Sequence, residues 1–218
     1  MLLAPAFAAL VVSISSSATV SPTLVDRVVG ETNAIWKPAG VTIEWKRDAP
    51  PGDASLDVMI GLERGAAHTF DAPLGWIAFE AGRPQPHLYL SYANAMSLFE
   101  SARGVVGLVA KMPIMEREMY LGRALGRALA HELGHYLLEL KTHTTTGLMK
   151  ANFTAVEFFL PEQSHFGITK AQQTAVAARL NQAPLVASAT SGSSSPTSPR
   201  PASTPRGAAR WPGPTPHS

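Results

Sequence analysis

The chain contains no cysteine among its 218 residues. Disulfide bridges are therefore excluded, and so are zinc sites built on thiolate ligands. Charge is scarce and nearly balanced, with 18 lysines and arginines against 16 aspartates and glutamates and a formal net charge of +2. Long basic runs are absent as well, so nothing in the composition indicates a nucleic-acid partner.

Long hydrophobic runs are also missing, and no segment has the length expected of a membrane span. The first twenty residues, MLLAPAFAALVVSISSSATV, combine a short apolar run with small residues. This pattern predicts a secretory signal peptide over 1–20, with cleavage after Ala18, and a secreted or periplasmic protein. The basic segment that usually precedes such a run is lacking, and a buried strand or the start of a helix is the alternative interpretation.

The carboxyl-terminal segment, 184–218, is rich in Ser, Pro, Thr and Gly and nearly free of large aliphatic side chains. Such a segment cannot bury enough apolar surface to offset its ordering entropy, so a disordered tail is predicted. The remaining residues, 21–183, are sufficient for one domain with a hydrophobic core.

Within 21–183 the patterns follow the order helix, strands, helices. Ser21 predicts the start of a first helix, and Thr169 with Gln172 predicts the start of the last. A long helix is expected from Met115 to Leu140. Alternating apolar residues predict four strands: 41–46, 56–62, 74–79 and 87–92. We therefore expect an α+β domain in which helices pack on one sheet.

The long helix carries a fourfold repeat over 122–137, GRAL-GRAL-AHEL-GHYL. The first position is always small, which permits close approach of another element, and the last is always leucine, which forms an apolar ridge. The second position changes from arginine to histidine. Arg123 and Arg127 are expected to point into solvent or to pair with carboxylates, and a role for Arg127 in binding a substrate carboxylate is an alternative.

His131 and His135 lie four residues apart, so on a helix they stand on the same face and can bind one metal ion. Glu132 lies about 100° around the helix from His131 and flanks the metal, as suits a general base for a metal-bound water. The sequence HELGH is thus the zincin motif, and the predicted metal is zinc with an open water position.

A third protein ligand must come from outside the motif. His143 follows His135 by eight residues, in a polar stretch able to turn back beneath the metal. Glu157 has a position in the range found in gluzincin sites, where a glutamate on a later helix is the third ligand. Its apolar neighbours, AVEFFLPE, do not resemble a long second helix, so it is the second candidate. His165 lies in a loop-like segment and is expected to be solvated. The other histidines show no ligand spacing: His68, His87 and His217.

Residues 131–149, HELGHYLLELKTHTTTGLM, resemble the metal-binding segment of the metzincins, a group of zinc metallopeptidases, or of a bacterial metzincin-like relative. The resemblance implies His131, His135 and His143 as zinc ligands, Glu132 as general base and Met149 as the methionine of a Met-turn. It also implies a twisted sheet with an edge strand that binds extended substrate, and hydrolysis of peptide bonds as the activity.

The segment departs from the metzincin pattern at two places. The third histidine follows the second by eight residues instead of six, and Leu138 replaces the glycine that breaks the helix. We therefore expect the helix to continue for half a turn more. Lys150 stands where a tyrosine is common, which leaves the oxyanion-stabilising group unassigned. An idle zinc-binding module and a non-peptidase hydrolase stay open, although the intact Glu132 argues against the former.

Overall fold

A computed structural model describes residues 9–50, 52–65 and 72–182. It contains one mixed sheet of five strands: β1 (Leu10–Ser16), β2 (Ile43–Arg47), β3 (Leu56–Gly61), β4 (Gly75–Glu80) and β5 (Arg83–Ser91). The strand order is β2-β1-β3-β5-β4. Neighbouring strands are parallel except for β4, which pairs antiparallel with β5 at one edge.

Within the described ranges, six α-helices accompany the sheet: α1 (Pro22–Trp36), α2 (Tyr92–Ser101), α3 (Arg103–Val106), α4 (Ile114–Leu138), α5 (Ala155–Phe159) and α6 (Lys170–Gln182). The predicted α+β architecture is confirmed. The first helix begins where expected, because the Ser21 side chain accepts a hydrogen bond from the Leu24 N–H. At the last helix, Thr169 and Gln172 bond reciprocally to each other's backbone N–H.

The first strand lies within the stretch for which the sequence predicts a signal peptide. β1 lies between β2 and β3, and Val12 and Ile14 are buried in the core. The folded domain therefore includes residues that the sequence analysis placed before residue 21. An apolar run that is buried inside a parallel sheet has the same composition as the core of a signal peptide, so the pattern did not separate the two.

A signal peptide and secretion stay predictions, and the fold lends them no support, because cleavage after Ala18 would remove β1 from the middle of the sheet. The predicted tail, 184–218, lies outside the described residues, as do His68 and His217. None of the described helices combines the length and the apolar character that crossing a bilayer requires.

Helix α4 is the element around which the other layers are arranged. The leucines of its repeat are buried in the hydrophobic core: Leu125, Leu129, Leu133 and Leu137. The helix packs on β4 and β5 on one side and on α1 on the other. As a result, the HELGH segment lies next to the edge strand of the sheet.

The small residues of the repeat bring the backbones of α4 and α1 together. A Cβ atom on Gly126 would lie 2.6 Å from Glu31 Cβ and 2.9 Å from the Val28 carbonyl oxygen. At the same place the Thr32 hydroxyl donates a hydrogen bond of 3.0 Å to the Gly126 carbonyl. Glycine is therefore required here by space, as the repeat predicted.

This contact gives a stability prediction. Gly126→Ala should lower the free energy of unfolding by about 2 kcal/mol, because the backbone carbonyl of Val28 cannot move aside without displacing α1. Gly30→Ala is the matched control: it lies inside α1 with nothing within 4 Å of the added Cβ. That change should raise stability by about 0.5–1 kcal/mol through helix propensity. Chemical denaturation measures both, and equal effects of the two substitutions would contradict the close contact.

Candidate metal centre

Three histidines converge beside the edge of the sheet. His131, His135 and His143 each offer a ring nitrogen, and these atoms all lie within 4.8 Å of one another. The Nε2 atoms of His131 and His135 are 3.1 Å apart. The His143 ring stacks against the His131 ring, with 5.2 Å between their centroids. The structure therefore brings together the three histidines for which the resemblance implied a role as zinc ligands.

Backbone carbonyls orient the two helical histidines. His131 Nδ1 lies 2.7 Å from the Leu148 carbonyl oxygen, and His135 Nδ1 lies 2.6 Å from that of Leu140. Because a carbonyl oxygen only accepts, both Nδ1 atoms carry the hydrogen and both Nε2 atoms present a lone pair. Metal-binding histidines are commonly held in this tautomer by such a hydrogen bond.

The two Nε2 lone pairs face each other without a proton between them. Burial lowers the pKa of His131 to about 4 and lowers the pKa of His135 as well, so both rings are neutral near pH 7. Two lone pairs at this distance repel. A cation would replace that repulsion with two bonds, since nitrogen ligands on tetrahedral zinc are about 3.3 Å apart. The donor set therefore fits a zinc ion.

The bend after α4 carries the chain to the third histidine. The helix ends at Leu138, and Glu139 adopts a left-handed conformation with φ of 52°. The helix is thus only one residue longer than the metzincin pattern implies, which is less than the half turn expected from the spacing. Glu139 also binds Arg179 of α6 at 2.5 Å.

The left-handed conformation of Glu139 predicts a stabilising substitution. Glu139→Gly should raise the free energy of unfolding by about 0.5–1 kcal/mol, because a side chain in this region costs more than the added freedom of glycine in the unfolded chain. Glu139→Ala removes the same exposed ion pair but keeps the Cβ, and should change stability by less than about 0.5 kcal/mol. Thermal or urea unfolding compares the two variants, and a less stable Glu139→Gly would refute the explanation.

A tight turn places Met149 beneath the helix. The Thr144 N–H donates to the Met149 carbonyl at 2.8 Å, and the Lys150 N–H donates to the Gly147 carbonyl at 3.1 Å. Gly147 has a φ of 76°, which suits glycine. The Met149 side chain is buried directly against Gly134, where any Cβ would overlap its sulfur atom. This is the position that the resemblance implied for a Met-turn methionine.

Glu132 lies beside the histidines and against β4. A Cβ atom on Gly75 would lie 3.2 Å from Glu132 Cγ, so glycine at the start of β4 makes room for this side chain. Burial raises the pKa of Glu132 to about 8, although a hydrogen bond from the Ile77 backbone acts in the opposite direction. This role of Gly75 was not predicted from the sequence. The one signal for it is a glycine inside a strand pattern, which can mark close approach of another group.

A cleft of about 960 Å³ contains the three histidines and Glu132. One wall is β4, which contributes residues such as Trp76 and Phe79. The cleft is also lined by α2 and by the chain around Phe153 and Phe158. Within the described residues β4 pairs only with β5, so the other edge of its backbone has no partner strand. Such an edge can accept an extended peptide.

The structure does not support Glu157 as a ligand. Its carboxylate binds the Lys150 ammonium at 2.5 Å and accepts a hydrogen bond of 2.8 Å from the Thr154 N–H. Burial would raise the pKa of Glu157, but the hydrogen bonds from Lys150 and Thr154 outweigh it and lower the pKa to about 2. This carboxylate therefore caps α5 and pairs with a lysine. His165, expected to be solvated, is exposed and lies 3.5 Å from Glu157.

The two arginines of the repeat hold neighbouring chain segments. Arg127 is fully buried, pairs with Glu31 at 2.8 Å, and donates to the carbonyls of Glu157 and Leu160. The pairing agrees with the sequence expectation. Arg123 donates to the Phe159 carbonyl at 3.1 Å instead of binding a carboxylate.

Comparison with known proteins supports the fold. No family model and no curated protein matches the chain. Among solved structures, the chain is similar to archaemetzincin from Methanopyrus kandleri, with a TM-score of 0.52 and 14% identity. The match covers 83% of this chain and 100% of the archaemetzincin chain. The metzincin-like fold expected from residues 131–149 is thereby confirmed, and at this identity the likeness extends to the fold alone.

The geometry of the centre predicts the effect of removing its third histidine. His143→Ala should weaken zinc binding by at least about 100-fold, because two ligands remain where three converged. His165→Ala is the control, since that ring is exposed and outside the cluster. Competition with a chelating dye measures both affinities. Zinc affinity that is undiminished in His143→Ala would remove His143 from the site.

Proposed function

We propose that the protein is a zinc-dependent metallopeptidase. The observation that carries the proposal is the convergence of two Nε2 lone pairs and a third histidine beside the half-buried Glu132. A zinc ion held by His131, His135 and His143 would supply a Lewis acid and a water molecule of lowered pKa. The likeness to archaemetzincin in fold supports the same function.

Glu132 is the group in the cleft that can move a proton. It flanks the three histidines, and its carboxylate is buried between α4 and β4 next to the Ile77 backbone. We assign it as the general base: the positive charge of a zinc ion held beside it would lower its pKa, so that a carboxylate oxygen can take a proton from the attacking water and return it to the leaving nitrogen. A site that only bound zinc would have no use for a carboxylate buried at this position.

The free edge of β4 favours a peptide as the substrate. An extended chain can form main-chain hydrogen bonds with this edge and lie along the cleft past Glu132 and the histidines. Main-chain pairing of this kind needs several consecutive peptide groups, which a small ester or amide does not have. We therefore rank peptide hydrolysis above a non-peptidase hydrolase with the same three ligands.

Replacement of the proposed base tests the mechanism. Glu132→Gln keeps the shape of the side chain but cannot accept the proton, so cleavage of a broad peptide library should fall by about 10²–10⁴-fold. Zinc content should be unchanged, because Glu132 is not a ligand. Glu44→Gln, in the exposed part of β2, is the matched control and should retain full activity. Chelation should abolish cleavage by the wild-type protein, and added zinc should restore it.

Two outcomes would contradict the proposal. Peptide cleavage that survives Glu132→Gln would exclude this residue as the base. A zinc-loaded wild-type protein that cleaves no peptide in the library would favour the idle zinc-binding module. In that case the three histidines would serve only to join the bend after α4 to the helix.

A further inference from the structure

The charged residues along the cleft are mostly of one sign. Three of the described residues that line it are cations, namely Arg64, Arg127 and Lys141, and the only acid among these described lining residues is Glu132. Since Glu132 is assigned as the base, no carboxylate among the described lining residues is left over to attract a basic substrate side chain. The charges of the described lining residues are therefore net positive before any zinc charge is added.

The three cations are not equally available to a substrate. Arg127 is neutralised by Glu31, and its remaining contacts are to backbone carbonyls and the face of Phe166. Arg64 is exposed, and among the described residues its side chain donates only to neutral groups, Asn94 Oδ1 at 3.2 Å and Ser97 Oγ at 3.0 Å. Its positive charge therefore remains available to a ligand.

Lys141 is exposed and makes no hydrogen bond or ion pair within the part of the chain that the structure describes. The acids nearest to these two cations in sequence do not pair with them. Glu139 binds Arg179, and Glu63 makes no ion pair with Arg64 among the described residues. Among the described residues that line the cleft, Arg64 and Lys141 are thus the two cations without an acidic partner.

These two cations lie toward opposite ends of β4. Arg64 is connected to the start of the strand through Asn94, whose amide donates to the Pro73 carbonyl at 2.9 Å. Lys141 follows Leu140, whose carbonyl accepts from His135, and the His135 ring contacts Phe79 near the end of the strand. From Gly75 to Phe79 a strand spans about 13 Å, with the histidines and Glu132 between its ends.

We propose that the cleft selects peptides that carry acidic side chains on both sides of the scissile bond. The inference rests on the proposed peptidase function and adds a substrate class to it. A peptide extended along β4 would place one flank near Arg64 and the other near Lys141. Each flanking carboxylate would then meet a positive charge that has no other acidic partner in the described structure.

A matched set of fluorogenic peptides tests the preference. The peptides share one core and carry Glu, Gln or Lys two or three residues from the cleaved bond, on one flank or on both. The wild-type protein should show kcat/KM in the order Glu, Gln, Lys, with about five-fold between Glu and Gln for each flank. The preference should weaken as salt is raised, since exposed charges are screened.

Variants assign the preference to the two residues. Arg64→Glu should reverse the order on one flank and Lys141→Glu on the other, which a loss of local structure alone would not do. Lys37→Gln, an exposed lysine outside the cleft, should leave the order and the rates unchanged. Preferences that are identical in all these variants would overturn the assignment.

The same peptide assays distinguish failure of the acidic preference from failure of the proposed peptidase function. Cleavage of all peptides at equal rates would overturn the acidic preference while upholding the peptidase. Failure of the zinc-loaded protein to cleave any of them, together with the library, would overturn the peptidase function and the preference with it. A preference for Lys over Glu would contradict the positive field inferred for the cleft.

Discussion

The small residues in one column of α4 let two other parts of the chain, α1 and the turn around Met149, lie directly against its backbone. Gly126 meets α1, the Ala130 carbonyl accepts a hydrogen bond from the Trp36 indole, and Gly134 contacts Met149. Residues four apart drift by about 40° around a helix, so this column turns from α1 toward the Met-turn along its length. One column of small residues therefore determines both how α1 packs against α4 and where Met149 lies beneath the metal centre.

The neighbouring column explains why arginine gives way to histidine. Arg123, Arg127, His131 and His135 all direct N–H groups at backbone carbonyls of the chain that follows the helix: those of Phe159, Leu160, Leu148 and Leu140. The four side chains share the task of holding that returning chain against α4. Histidine performs it with Nδ1 and keeps a second nitrogen for a metal, which the guanidinium group, having no acceptor, cannot do.

Much of this arrangement could be predicted from the sequence, because its signals are local. The HELGH spacing, the helix caps and the alternating strands each depend on residues a few positions apart. The carbonyl partners of His131 and His135 could not be predicted, since every residue has a carbonyl and only the fold selects one. The burial of β1 and the room that Gly75 gives Glu132 depend on strand neighbours distant in the chain. The left-handed conformation of Glu139 was not predicted, because the left-handed residue after a helix is usually a glycine.

The eight-residue interval before the third histidine divides the centre into parts of unequal rigidity. His131 and His135 are fixed by the helix and by carbonyl hydrogen bonds, whereas His143 is exposed on the segment that returns from the bend. That segment is held at its far end by the Thr144 hydrogen bond to Met149 and at its near end by Glu139. A metal ion would add a third attachment between them. The longer interval is therefore compatible with a zinc site because the turn around Met149 brings the chain back to the helix.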